Sequence, residues 1–313
     1  MKRLFLITIL LGLTHNNAFA QCCGAGNPVT TVNGESTVGQ GSLRFTLNYR
    51  HSISDRYYEG SHASSFDFPG KLRQASYDFT SLAIGYGITS RLSAQAQIGY
   101  FVGKNEDYIT ELFPDVHATG IGDLDVTIRY TVFRKLIERI EVTPFLGVKI
   151  PVGKFDCESS GVKLPISMQP SSGSFKYTAG AYASWAPRTR FSLYTYDYYE
   201  YAQRIRSKMF DYQYGPLTYL SMGGTFRIVP KFDVGLQVSY ERKGQAKEHG
   251  IRLEGTIYNT LKLSPQFYFR PYRGWQFFVN ADVPVWHKTD GLQMVNSWAL
   301  QTGIQYNLHR IRL

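Results

Sequence analysis

From Asp123 to Val132 polar and apolar residues alternate without a break. Asp123, Asp125, Thr127, Arg129 and Thr131 share one parity; Leu124, Val126, Ile128, Tyr130 and Val132 share the other. Successive side chains of a strand point to opposite faces, so this period predicts a strand with one greasy face and one face carrying charges of both signs. The pattern recurs along the chain. Up to twelve strands are predicted, at roughly 41–52, 75–88, 91–103, 120–133, 139–151, 173–186, 190–202, 215–229, 232–243, 254–270, 275–286 and 297–309. Each is long enough for a tilted strand to cross a thin membrane. In 91–103 the apolar parity is Leu92, Ala94, Ala96, Ile98, Tyr100 and Val102, against Ser93, Gln95, Gln97 and Gly99. In 232–243 it is Phe232, Val234, Leu236, Val238 and Tyr240, against Asp233, Gln237, Ser239 and Glu241. In 297–309 it is Trp298, Leu300, Ile304, Tyr306 and Leu308, against Ser297, Gln301, Gln305 and Asn307. The stretch "RFSLYTYDYYEYA" (190–202) puts Asp197 on one parity and Glu200 on the other, which predicts a bulge or a rim position.

Connections alternate in length. The short ones read "ITSR", "RKLIER", "APRTR", "VPK" and "PYRG"; the long ones run roughly 53–74, 104–119, 152–172, 203–214, 244–253 and 287–296. Short turns on one side and long loops on the other are the layout of a bacterial outer-membrane barrel. The expected fold is all-β: a transmembrane, antiparallel, up-and-down barrel of about twelve strands over residues 41–313, with short periplasmic turns and long extracellular loops. A charge on the lipid face of such a barrel costs roughly 2–4 kcal/mol at midplane, whereas a wet inner wall tolerates it. A soluble antiparallel protein with one solvated face would give the same pattern strand by strand, so the decision rests on the features that follow.

The N-terminus supplies the first. Lys2 and Arg3 precede an apolar run from Leu4 to Leu13, too short to span a bilayer, and Ala18-Phe19-Ala20 has the small-residue form of a cleavage site. Residues 1–20 are read as a signal peptide; the alternative is a lipoprotein cut before Cys22. Without Lys2 and Arg3 the formal charge falls from +10 to +8. Export places the chain in the outer membrane, with lipid as its partner. Aromatics make up 15% of the residues, with 23 Tyr and 20 Phe, which suits the aromatic girdles of such barrels. Trp185 and Trp275 fall near the periplasmic interface and Trp298 near the outer one. Tyr194, Tyr196, Tyr198, Tyr199 and Tyr201 are read first as outer girdle and second as a stacking platform for a ligand. Segment 21–40, Gly- and Thr-rich and without alternation, is read as a periplasmic tail or a partial plug of the barrel.

Chemistry adds little. Lysines and arginines form no basic run, so nucleic acid is not an expected partner. Cys22, Cys23 and Cys157 are candidate disulfide partners in an oxidising compartment; metal capture by the vicinal pair lacks a nearby histidine or carboxylate, and no metal or cofactor is expected. Some twelve-stranded barrels are hydrolases, but His51, His62, His117, His249, His287 and His309 fall mostly in loops or at strand ends, and there is no G-x-S-x-G. The chain is therefore not expected to be an enzyme. The inward parity gathers Arg44, Arg50, Asp123, Asp125, Arg129, Glu141, Lys149, Lys176, Asp233, Lys262 and Asp282 as candidate lumen-lining residues. Their mixed signs predict a narrow passage for small solutes without strong ion selectivity. Two alternatives stand beside it: a wall-stabilising charge network, and a structural or surface-interaction barrel with no through-pore.

"GIGDLDVTIRY" (120–130), "VTPFLGVKIPVGKF" (142–155) and "MQPSSGSFKYTAGAY" (168–182) resemble the motifs of the outer-membrane "transporter" barrels described as components of MetA-type phenol-degradation pathways. The match spans roughly residues 75–240, with "PSSGS" where the family has "PGxGS". The resemblance implies an outer-membrane barrel for small aromatic or apolar molecules and brings no catalytic residues. Read physically, Gly120 and Gly122 ease the chain into its strand, Asp123 sits at the lumen mouth, and Pro151 ends a strand's pairing.

Overall fold

The computed structural model describes residues 36–68, 70–110, 114–159, 161–207 and 210–309. The predicted signal peptide, the residues up to 35, and with them Cys22 and Cys23, lie outside the described residues. Twelve long strands follow one another: β1 (Leu43–Glu59), β2 (Leu72–Gly87), β3 (Leu92–Tyr108), β4 (Val116–Tyr130), β5 (Ile140–Ile150), β6 (Lys176–Arg188), β7 (Phe191–Ala202), β8 (Leu217–Val229), β9 (Phe232–Lys243), β10 (Tyr258–Phe269), β11 (Trp275–Thr289) and β12 (Gln293–Leu308). Each pairs antiparallel with its neighbours in sequence, and β1 pairs with β12 from Leu43↔Leu308 to Tyr58↔Gln293, so the sheet closes on itself. Closure leaves no unpaired edge, the condition for a β-protein to live in lipid. There is no helix among the described residues.

The alternation explains the two surfaces. Ile128 is 53% exposed and Leu236 54%, whereas Arg129 and Gln237, one residue on from each, are buried. Leu47, Ile98, Val102, Leu146, Met222, Phe267 and Leu300 continue the exposed apolar surface around the barrel. Trp185, Trp275 and Trp298 are all exposed on it, joined by Trp286. The predicted parities of 91–103, 232–243 and 297–309 match the burial pattern.

Strands run longer on the loop side than the alternation predicts: β1 continues to Glu59, β3 to Tyr108, and β12 begins at Gln293. Bulges cause this. Register shifts at Ile53/Ser54, Ser54/Arg56, Asp78/Phe79 and Phe101/Lys104 break the period while pairing continues, so parity past them no longer follows from the turn-side half. β7 behaves in the opposite way. Its pairing with β8 has no register shift, and the shift in its pairing with β6 falls at the turn end, between Trp185 and Arg188, so no bulge separates Asp197 from Glu200. Glu200 faces inward, while Asp197 takes the outward parity and accepts the Ser221 backbone N–H at 2.8 Å; the Ser221 hydroxyl donates to the Tyr196 carbonyl at 2.8 Å. Asp197 thus stands in for a ladder acceptor, and the strand keeps its register. The tyrosine run is split as a result: Tyr194, Tyr196 and Tyr198 point inward and only Tyr199 and Tyr201 outward. Reading all five as outer girdle is therefore incorrect for three of them.

The long connections fold on one another. Ile205–Arg206, Asp211–Gln213, Lys247–Glu248 and Ile251–Arg252 make a small four-stranded sheet above the rim. Ile205, Phe210, Tyr212 and Ala246 pack beneath it, with Phe155 and Ile166 of the 151–175 connection against them.

Candidate functional site

The interior of the barrel is the candidate site, and its two mouths and middle are built differently. At the loop side the 151–175 connection turns inward. Met168 is fully buried in a cluster with Tyr57, Leu72, Ala75, Tyr77, Ala118 and Met294, which lie on β1, β2, β4 and β12. Three polar anchors hold the connection there. Asp123 accepts the Ser171 hydroxyl at 2.7 Å, the Ser172 amide at 2.9 Å and the Ser172 hydroxyl at 2.5 Å. Lys104, only 2% exposed, donates to the Gln169 carbonyl at 2.9 Å. Gln169 in turn bonds the Cys157 amide and the Leu164 carbonyl, tying the connection to itself. Two glycines admit it. Gly120 has φ +150 and Pro170 side-chain atoms 3.0 Å from where a Cβ would stand; at Gly153 a Cβ would meet the Ile121 carbonyl oxygen at 1.7 Å. Gly120 thus serves the approach of Pro170 rather than a turn into β4, which has already begun at Val116.

At the turn side the N-terminal residues lie against the inner wall. Gln40 bridges to Gly87, and Val38 is buried beside Gly85. Arg134, on the β4–β5 connection, ties three segments together. It donates to Thr37 Oγ1 at 2.8 Å, to the Ser90 carbonyl at 2.9 Å and to Glu141 at 3.1 Å.

All eleven candidate lining residues sit on the inner parity, and most are engaged in pairs. Arg50 donates to Asp282 at 2.7 Å, and the Ser264 hydroxyl donates to the same carboxylate at 2.7 Å. Lys262 meets Glu241 at 2.6 Å. Lys149 meets Glu200 at 2.6 Å, and Lys176 stands 3.9 Å from the other Glu200 oxygen. Asp233 lies between Arg227 at 3.2 Å and Arg270 at 2.6 Å. Arg129 donates to Gln95, Arg44 to Asn307, and Asp125 accepts from Thr127. Sequence reasoning missed the partners Glu200, Arg134, Arg227 and Arg270. Glu200 is hidden by the ambiguous parity of β7, and Arg134 lies on a connection.

Aromatic rings make a row across β5, β7 and β8. Phe145 and Tyr196 stack with centroids 5.1 Å apart, and Tyr198 and Tyr219 stack at 5.3 Å. Below the row, the Tyr194 hydroxyl lies 2.9 Å from the side-chain oxygens of both Gln237 and Gln266, within reach to donate to either.

Three of the candidate histidines are engaged with other side chains. His51 pairs with Asp78 at 2.7 Å on the outward side, His287 with Thr260 at 3.0 Å and His117 with Asn105 at 2.5 Å. Among the described residues no serine hydroxyl is hydrogen-bonded to a histidine, and no three His, Cys, Asp or Glu side chains converge as metal ligands. Cys157 is a free thiol in the inward connection, and burial raises its pKa.

No family model and no curated protein matches the chain, so the motif resemblance at 120–130, 142–155 and 168–182 stands on those residues alone. Among solved structures it is similar to an outer membrane channel from Pseudomonas putida F1, at 12% identity and a TM-score of 0.72, over 90% of this chain and 99% of that one. The KdgM porin and the NanC porin align more loosely, with TM-scores of 0.47 and 0.46 at 10% and 14% identity, over 84% of this chain and 99% and 98% of theirs. At such identities the likeness is one of fold, and the fold is the closed twelve-stranded antiparallel barrel of outer-membrane proteins.

Proposed function

We propose that this chain is an outer-membrane channel that passes small solutes through a narrow, mixed-charge lumen, and that it is not an enzyme. The observation that carries this is the division of its two parities. A closed sheet turns exposed Leu, Ile, Val and Phe outward and every candidate charged residue inward. That is the arrangement lipid outside and a polar interior require. The N-terminal signal pattern supports export to that membrane. The mixed signs of the inner charges, several of them joined in salt bridges, support weak ion selectivity, since a paired charge projects little net field. The motif resemblance nominates aromatic or apolar solutes as cargo. The test is reconstitution: purified barrel in planar bilayers should give discrete ion-conducting steps, and liposomes holding it should take up small solutes. Barrel that inserts yet gives neither conductance nor uptake would refute the proposal. That result would support the second reading, a structural barrel, which is favoured by the inward-turned 151–175 connection and the buried Met168.

A further inference from the structure

Charge divides the two ends of the barrel unequally. The five short turns, after β2, β4, β6, β8 and β10, hold eight Lys or Arg and a single acid, Glu138. The six loop-side connections hold eight basic and nine acidic residues. Three of the turns form an arc. The Arg227 amide donates to the Arg190 carbonyl at 2.7 Å and the Arg270 amide to the Lys231 carbonyl at 2.8 Å, so these turns lie side by side along the rim. Stretches 185–191, 226–233 and 268–277, which contain them, carry six basic residues and one acid, Asp233. Asp233 is held between Arg227 at 3.2 Å and Arg270 at 2.6 Å. Arg188, Arg190, Lys231 and Arg273 remain, and all four are exposed. Beside them the outward surface is aromatic: Trp185, Phe191, Phe226, Phe232 and Trp275 are between 37% and 48% exposed.

We infer that this arc is a docking surface for anionic phospholipid of the periplasmic leaflet, with phosphates against the four exposed cations and acyl chains against the rings. Short turns of an outer-membrane barrel face the periplasm, so the apolar belt ends here at the headgroups of that leaflet. Long Lys and Arg side chains reach from such a belt to headgroup level, where a phosphate answers their charge. A zwitterionic lipid brings an ammonium with each phosphate and offsets the attraction; a lipid of net negative charge does not. Neighbouring turns of the arc stand two strand spacings apart, about 10 Å, so each offers its cations to a separate phosphate. The rings fix these cations at the edge of the bilayer, which favours lipid over an acidic protein approaching from the periplasm. The inference goes beyond the passage of solutes and holds whether or not the lumen conducts.

The experiment uses the full mature chain in vesicles of mixed phosphatidylcholine and phosphatidylglycerol, with bromine on the acyl chains of one lipid or the other. Bromine quenches tryptophan fluorescence on contact, so quenching reports which lipid stands beside a ring. The chain has four tryptophans. Trp286→Phe, Trp298→Phe leaves the turn-side pair, and Trp185→Phe, Trp275→Phe leaves the loop-side pair. At the turn-side pair, phosphatidylglycerol is expected to associate about fivefold more strongly than phosphatidylcholine. That preference should vanish with Arg188→Gln, Arg190→Gln, Lys231→Gln, Arg273→Gln, and weaken in about 0.5 M salt. Any preference at the loop-side pair should be smaller and unchanged by the four substitutions. Equal association of the two lipids with the turn-side pair overturns the inference and leaves the arc to an acidic protein. A preference that survives the four substitutions overturns it as well. Should the fourfold variant not fold, the inference stands only if the turn-side preference exceeds the loop-side one and weakens with salt, and otherwise it falls. Solute flux is not read, so failure here leaves the channel reading standing.

Discussion

The loop-side and turn-side mouths of this barrel are both occupied by chain, but by different forces. At the loop side the 151–175 connection is held by an apolar cluster around Met168 and by hydrogen bonds to a single buried carboxylate, Asp123. At the turn side residues 37–42 are held by Arg134 and a short run of backbone bonds to Gly87. The first arrangement concentrates its polar hold on one side chain surrounded by buried surface. The second spreads it over segments in partial contact with water. Removing one group should therefore release the loop side far more than the turn side.

Asp123→Ala is the severest test of that contrast. It removes the acceptor of three donors at once and leaves the buried Ser171 and Ser172 groups unanswered, at a cost of about 3 kcal/mol to docking of the connection. Labelling of Cys157 in a Cys22→Ser, Cys23→Ser background reports it. The thiol, slow to react at neutral pH because burial raises its pKa, should then label on the order of a hundredfold faster. Unchanged labelling would mean that the apolar cluster alone docks the connection. Gly120→Ala probes the same mouth sterically: the new methyl meets Pro170 in a backbone conformation that suits glycine, costing about 2 kcal/mol. Its labelling rate should fall between those of wild type and Asp123→Ala. At the turn side Arg134→Ala should cost only about 1 kcal/mol, seen as faster proteolysis near Val38 with Cys157 labelling unaffected. Equal effects at the two ends would erase the distinction.

Acid should produce the smallest effect, and only on the outer sheet. Two hydrogen bonds from Arg204 hold the Asp211 carboxyl below its usual range. A lowered carboxyl pKa adds stability above the ordinary value of about 3.9, and that stability disappears as pH falls through the lowered value. Amide protection at Tyr212 should thus be steady from neutral pH down to about pH 4 and weaken below it. A loss of protection near pH 6 would place the sensitivity elsewhere.

Particular elements show how far the chain could be read in advance. β9, forecast at 232–243, forms over Phe232–Lys243 because it has no bulge within it and every second residue obeys one rule. β3 is legible only to Val102, since the shift at Phe101/Lys104 brings Lys104 inward against the earlier parity. β7 defeats parity for another reason: Asp197 spends its carboxylate on a backbone amide, a local bond that hydropathy does not encode. The inward residues of the candidate site were legible one by one, but their partners were not. Arg50 and Asp282 lie 232 positions apart and meet only because β1 and β12 close the ring.

The sequence by itself determined the strands, their alternating faces, the short and long connections, and the inward side of the charges that lie in unbulged stretches, because all of these follow from a two-residue period acting locally. Tertiary structure alone decided which inner charges meet, where the 151–175 connection turns and which tyrosines look inward. Those outcomes depend on ring closure and bulges, which bring together side chains that no local pattern relates.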